Sequence, residues 1–130
     1  MSLSKQASTY VKFLNLVAAL RQMPSTLALD AVEERLLNML ALLWAAGKKI
    51  PVTEAARMEP NTSERTAFRR LKSLQDKGLL DFEVSVEDLR VRFVVPTQRT
   101  KEYFDSLDQC IENARESLWR AEAKVESENK

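Results

Sequence analysis

The chain has 130 residues, 45% hydrophobic and 30% charged, with 20 lysines and arginines against 19 aspartates and glutamates; that composition suits one globular domain and lies outside the disordered range. It has no histidine, one cysteine (Cys110) and two glycines (Gly47, Gly78). A His-based triad, a Cys/His zinc site, a disulfide framework and a Gly-rich phosphate loop are therefore excluded, so neither an enzyme nor a metal or other cofactor is expected.

No charge-free apolar run approaches the ~18 residues of a membrane span, and Met1 to Lys12 lacks the apolar block of a signal peptide, so the chain reads as cytoplasmic. The first segment places Tyr10, Phe13, Leu14, Val17 and Leu20 at steps of three and four, an amphipathic helix ending near Pro24. A second helix starts after Asp30, which forms a capping-box pattern with Glu33, and runs through Leu36, Leu37, Leu40, Leu43 and Trp44 to Gly47. Its apolar positions nearly encircle it, so burial on several sides is expected.

Lys49 to Val52 is too short and too Pro-broken for a central strand, and Thr53 is the expected N-cap of a short helix over Glu54 to Met58. After the turn Glu59-Pro60-Asn61-Thr62, Ser63 caps a third helix that buries Ala67, Leu71 and Leu74 and stops at Gly78. Two short helices around a tight turn make a helix-turn-helix. Alternation then takes over, with Phe82, Val84 and Val86 on one face and Val91, Phe93 and Val95 on the matching one, a hairpin whose loop is expected around Val86 to Leu89. From Thr97 a long helix carries Phe104, Leu107, Ile111, Ala114, Leu118, Ala121 and Val125 as a heptad seam.

Charge is uneven along this order. Arg65, Arg69, Arg70, Lys72 and Lys77 face only Asp76 within the third helix region, whereas the chain beyond Pro96 has six cations against eight anions. The expectation is a mainly α chain with a small β-hairpin wing (α+β), a winged helix-turn-helix over 27–96 flanked by helical segments 1–26 and 97–130.

The residues Val52-Thr-Glu-Ala-Ala, Ser63-Glu-Arg-Thr-Ala-Phe-Arg-Arg-Leu-Lys-Ser-Leu-Gln-Asp-Lys-Gly-Leu-Leu80, the Asp88-Leu-Arg90 of the hairpin and the helix after Val95-Pro-Thr97 resemble the MarR family of bacterial regulators, over roughly Leu27 to Asp108. The resemblance implies a transcriptional regulator, a repressor foremost, that binds double-stranded DNA as a homodimer on a pseudo-palindromic operator. It also implies that Arg90 reaches the minor groove with Asp88 positioning it; Arg92 follows one alternation further on. The chain departs from the family pattern at Leu89, where a cation is frequent, at Val95-Pro96-Thr97-Gln98, and at Phe68, where a small polar residue usually faces DNA.

The residues themselves point the same way. A helix with the inner stripe Ala67, Leu71 and Leu74 turns Arg65, Thr66, Arg69 and Arg70 elsewhere, with Lys72 beside them, and a cationic helix of this size fits the major groove. Thr62, Ser63 and the helix N-terminus suit a phosphate. The competing reading is a solvated face whose arginines pair with Glu64 and Asp76, with an ordinary charged hairpin tip.

The two terminal stripes, Tyr10, Phe13, Val17, Leu20 and Phe104 to Val125, either pack on each other within one chain or interdigitate across a two-fold axis, as the resemblance implies. Family members take small phenolic or lipophilic effectors between dimer helices and winged core. Tyr10, Phe13, Trp44, Tyr103 and Trp119 fit such a cavity or a plain core, and Cys110, beside the seam, reads as an inert thiol. A winged-helix module that binds protein rather than DNA is the alternative, suggested by the near-zero net charge and by Phe68 on an otherwise polar helix.

Overall fold

The structure, a computed structural model, describes residues 5–23 and 27–128, with side-chain surroundings for 8–23, 27–118 and 120. The elements in chain order are α1 (Lys5–Gln22), α2 (Ala31–Ala45), β1 (Ile50–Pro51), α3 (Val52–Ala55), α4 (Glu64–Asp76), β2 (Leu80–Val84), β3 (Arg92–Pro96) and α5 (Gln98–Glu128). None of the described helices is long and apolar enough to cross a membrane. The chain divides into two compact units, one of Leu27–Glu102 and one joining the α1 segment to the chain from Tyr103 onward.

In the Leu27–Glu102 unit, α2 begins where the capping box is expected. The Asp30 carboxylate accepts from the Glu33 backbone N–H at 2.8 Å, and the Glu33 carboxylate accepts from Asp30 N–H at 3.2 Å, which satisfies two donors that a helix start leaves free. Leu36, Leu37 and Leu40 are fully buried against the rest of the unit. The expected burial around the whole of α2 is not met, because Leu42 is 75% exposed.

The short helix starts earlier than expected. Pro51 stands at its N-cap position and no side chain caps it, so Thr53 lies inside α3 and takes no capping role. Pro51 pre-sets an extended backbone before the first turn, and the helix needs no donor from it. Ser63 does cap α4: its hydroxyl oxygen accepts from Thr66 N–H at 3.2 Å, while Ala67, Leu71 and Leu74 turn inward and are fully buried. Gly78, at φ +76°, ends the helix in the left-handed region that other residues enter at a cost.

The sheet has order β1-β3-β2 and is antiparallel throughout, with β1 as the Pro-bearing edge. Its register corrects the expected faces. Phe82 pairs with Val94 and Ile50 pairs with Val94, so the inward row is Ile50, Leu80, Phe82 and Val94, of which Ile50, Leu80 and Val94 are buried. Phe93 and Val95 stand on the opposite face from Phe82, because cross-strand partners share a face and β3 is offset by one from the alternation assumed for it. That opposite face is itself half covered, with Lys49 Nζ 5.6 Å from the Phe93 ring centroid. Trp44 of α2 fixes the central strand by donating its indole N–H to Val94 O at 3.0 Å. The wing loop spans residues 85–91, longer than the expected Val86 to Leu89.

The start of α5 is tied to the end of α4. Thr97 Oγ1 donates to Gly78 O at 2.6 Å, Arg99 Nη1 donates to Lys77 O at 2.6 Å, and Thr100 Oγ1 donates to Leu79 O. These carbonyls follow the last turn of α4, where helix acceptors lack intrahelical partners.

In the other unit, Tyr10 is 61% and Phe13 57% exposed, and Val11 and Leu14 are exposed as well. Val17 and Leu20 of α1, and Phe104, Leu107, Ile111, Ala114 and Leu118 of α5, are half-buried. The side chains of Trp119, Ala121 and Val125 lie outside the described set, as does Pro24. Cys110 is half-buried rather than fully enclosed, with its thiol 3.6 Å from Ala19 O.

Candidate nucleic-acid interface

The five cations expected to make α4 basic are used in different ways. Lys77 is drawn inward: its ammonium donates to the buried Glu33 carboxylate at 2.7 Å and to Ala28 O, and Ser73 Oγ also donates to Glu33 at 3.0 Å. This polar cluster bolts α4 to α2, since a buried carboxylate is tolerated only when its oxygens are satisfied. Arg70 pairs with Asp30 through Nη1 at 3.0 Å, while its Nε is buried without a partner. The Glu33 backbone N–H, with the Arg70 guanidinium alongside, holds the Asp30 carboxyl below the usual carboxylate range against the opposing effect of desolvation. Arg70 is therefore committed to the α2 cap.

Lys72 lies over Phe82, with Nζ 5.6 Å from the ring centroid. Among the described residues, Arg65 and Arg69 remain exposed and outside every ion pair. Of the two expected partners of a solvated face, Glu64 pairs instead with Arg57 of the helix-turn-helix turn at 2.8 Å, and Asp76 is exposed and pairs with neither arginine. The Ser63 hydroxyl is taken up by the cap, accepting from Thr66 N–H and donating to Thr66 Oγ1 at 3.0 Å. Thr62 is half-buried in the turn, where its N–H donates to Glu59 O at 3.3 Å. Glu59 is buried and accepts from Arg35 at 3.1 Å, so the turn is pinned to α2.

The wing loop is ordered by its own hydrogen bonds. Ser85 Oγ accepts from Glu87 N–H at 3.2 Å and Asp88 N–H at 3.3 Å, and Ser85 N–H donates to Val91 O at 2.9 Å. Asp88 then takes a fork from Arg90, Nε to Oδ1 at 3.1 Å and Nη2 to Oδ2 at 3.2 Å, and also accepts from the Arg90 backbone N–H at 3.0 Å. The side-chain bonds first, then the backbone bond, hold the Asp88 carboxyl below the usual carboxylate range. The consequence is an Arg90 side chain 91% exposed whose guanidinium is forked to Asp88 on its own loop.

Between α4 and the wing lies a groove of about 750 Å³. Phe68, Val52 and Val91 contribute its apolar lining, and Arg65, Arg90 and Arg92, with the anion Glu64, its charge. Phe68, the residue out of place on a polar helix, thus belongs to the groove. The fold brings together Arg65, Arg90 and Arg92 directly, with Lys72 joined to Arg92 through Phe82; it takes Arg70 away. Phe82 is the residue that sequence reasoning assigned only to hairpin packing. Its charge-holding position depends on the meeting of α4 with the sheet, for which no local signal exists. Trp44, proposed for an effector cavity, is held at the sheet by its bond to Val94.

No family model matches the chain, and no curated protein matches it. Solved structures do. The transcriptional regulator Tm0710 from Thermotoga maritima aligns with 95% of this chain and 81% of its own length at a TM-score of 0.67 and 17% identity. The DNA complex of MepR from S. aureus aligns with 95% of this chain and 87% of its own at 0.64 and 14%. A MarR-like transcriptional regulator (tm0816) from Thermotoga maritima aligns with 98% of this chain and 92% of its own at 0.62 and 21%. The small antiparallel sheet among helices and the near-complete coverage agree: this chain has the winged-helix fold of the MarR-type regulators.

Proposed function

We propose that the chain is a sequence-specific double-stranded DNA-binding transcriptional regulator, a repressor, acting as a homodimer on a pseudo-palindromic operator. The observation that carries this reading is the pairing of two presented sets of guanidinium groups: Arg65 and Arg69 on the outer side of α4, and Arg90 held outward by Asp88 on the wing. Arg65 and Arg69 enter the major groove, where arginine bonds guanine O6 and N7 bidentately, and Arg90 enters the adjacent minor groove, where narrow A·T tracts concentrate negative potential. Thr62, Ser63, Thr66, Lys72 and Arg92 serve the backbone phosphates and Arg70 steadies the helix. The structure of MepR with DNA, on the same fold, supports the assignment.

Segments 1–26 and 97–130 form the dimer. The exposed Tyr10 and Phe13 and the half-buried seam of α5 support it, because so much aromatic and aliphatic surface left facing water favours association. Two copies of α4 related by a two-fold axis then meet successive major-groove faces about one turn apart. A small phenolic or lipophilic effector remains part of this reading through the aromatic residues of the terminal helices.

The test is fluorescence anisotropy with random duplex DNA across a salt series, wild type against Arg90→Ala. Affinity that falls steeply with salt, and falls further in the variant with a shallower slope, supports the proposal. No binding even at low salt refutes it and leaves the protein-interaction module, a reading favoured by Val86 and Leu89, 97% and 80% exposed at the wing tip.

A further inference from the structure

The cations around α4 and the wing are not evenly spaced, and two of them share one aromatic ring. Lys72 Nζ lies 5.6 Å and Arg92 Cζ 5.3 Å from the centroid of Phe82. Arg35, Arg57, Arg70, Lys77 and Arg90 each have a carboxylate; among the described residues Lys72 and Arg92 have none. Two like charges gathered at one ring repel each other, and the ring's quadrupole offsets only part of that repulsion. An anion shared by the two would offset the rest.

The ring is set by the fold. Phe82 pairs with Val94 in the sheet, and Arg92 pairs with Val84 on the same face, so both project from β2 and β3 toward α4. Arg65, Phe68 and Lys72 are spaced i, i+3, i+7 along α4 and fall on one stripe. Arg65 and Phe68 line the groove from the helix, and Arg90, Val91 and Arg92 line it from the wing. Cations thus border an apolar lining on both walls, with Glu64, which pairs with Arg57, beside Arg65 on the helix side. Lys72 and Phe82 lie beside this groove, joined to it by Arg92; if α4 occupies a major groove and the wing the neighbouring minor groove, the sugar-phosphate strand that divides them passes between helix and wing, alongside that cluster.

We propose that Lys72 and Arg92, gathered on Phe82, clamp a single phosphodiester of that strand, with Phe82 as the positioning residue. The inference rests on the DNA-binding reading and adds to it a common target for two side chains and a role for a third that touches no DNA. The ligand chemistry is a phosphate oxygen pair, and its source is duplex DNA.

The experiment is the salt dependence of binding to random duplex and to several unrelated sequences, for wild type, Lys72→Gln, Phe82→Leu, Phe82→Tyr and the Lys72→Gln/Phe82→Leu double variant, each verified as folded by thermal melting. Losing one phosphate contact flattens the slope of log K against log salt by about 0.9. Lys72→Gln is expected to flatten it by up to that amount, equally for all sequences, and Phe82→Leu to do the same while Phe82→Tyr retains the wild-type slope. The double variant flattens it no further than the steeper-acting single change. A wild-type slope in Phe82→Leu, or additive flattening in the double variant, overturns the clamp while leaving DNA binding intact; absence of binding by wild type overturns both. Should Phe82→Leu fail to fold, an unchanged slope in Lys72→Gln overturns the clamp by itself. Inorganic phosphate that binds wild type but not Lys72→Gln, while the salt slope for duplex is the same in both, assigns the site to free phosphate and overturns the duplex assignment.

Discussion

The Leu27–Glu102 unit and the unit formed by α1 with the later part of α5 solve the same problem in opposite ways. Every buried apolar side chain among the described residues, from Leu36 to Val94, belongs to the first. There, three layers of local choice agree: α2 and α4 are capped, their inward stripes meet the inward row of a three-stranded sheet, and buried polar groups such as Glu33 are satisfied. In the second unit no described side chain is fully buried, and α1 leaves Tyr10, Val11, Phe13 and Leu14 exposed. A single chain can therefore close one core by itself and leave another apolar surface exposed. The contrast also separates two kinds of sequence pattern, since a helix-period stripe marks an apolar face without saying which chain covers it.

The largest expected effect breaks the closed side of the comparison. Leu71→Ala removes a fully buried side chain from α4, and urea unfolding should show a loss of roughly 2–5 kcal/mol. A loss below about 1 kcal/mol would mean that the core is looser than its burial indicates. The second change addresses the open side. Phe13→Glu charges an exposed residue, so the winged core should remain folded by circular dichroism. If the proposed dimer buries Phe13, however, each copy forfeits roughly 1.5–3 kcal/mol of apolar burial, enough to make sedimentation report monomer where wild type reports dimer. Unchanged association would return α1 to a role within its own chain.

A third, smaller effect tests the exposed face of the closed unit. Arg69→Ala should leave stability unaffected, because the side chain makes no ion pair, yet weaken specific DNA binding by about 1–3 kcal/mol. Equal losses on specific and random duplex would demote Arg69 from base readout to phosphate contact. The smallest effect concerns acid. The bonds from Arg90 lower the Asp88 pKa in the folded wing, so their stabilisation is fully present above the ordinary aspartate value and is lost as pH falls through the depressed one. An NMR titration of the Asp88 carboxyl should therefore find its midpoint below that of an unfolded-chain aspartate; a midpoint at the ordinary value would show the fork to be open in solution.

Much of this layout was legible in local pattern. Asp30 with Glu33, Ser63 before a cationic amphipathic stretch, and Gly78 after it mark helix ends by chemistry that acts within four residues. Strand facing was less legible: alternation placed Val91, Phe93 and Val95 with Phe82, whereas the register put Val94 there. A run such as Val91 to Val95 with apolar residues at both parities has no unique face until a partner strand and a helix choose one. Thr53 failed as a cap for a similar reason, because the β1 pairing of Ile50 and Pro51 with β3 sets where the chain can turn helical.

Order along the chain was enough to set the elements, most of their caps and the concentration of positive charge near α4, since each depends on neighbours in sequence. Which of those charges remain available was settled by packing. Lys77 and Arg70 are consumed by Glu33 and Asp30, residues 44 and 40 positions away, while Lys72 and Arg92 are brought to one ring. Electrostatic partnership falls steeply with distance through space and is indifferent to separation along the chain, so a count of cations could locate the basic face but not say which side chains it would present.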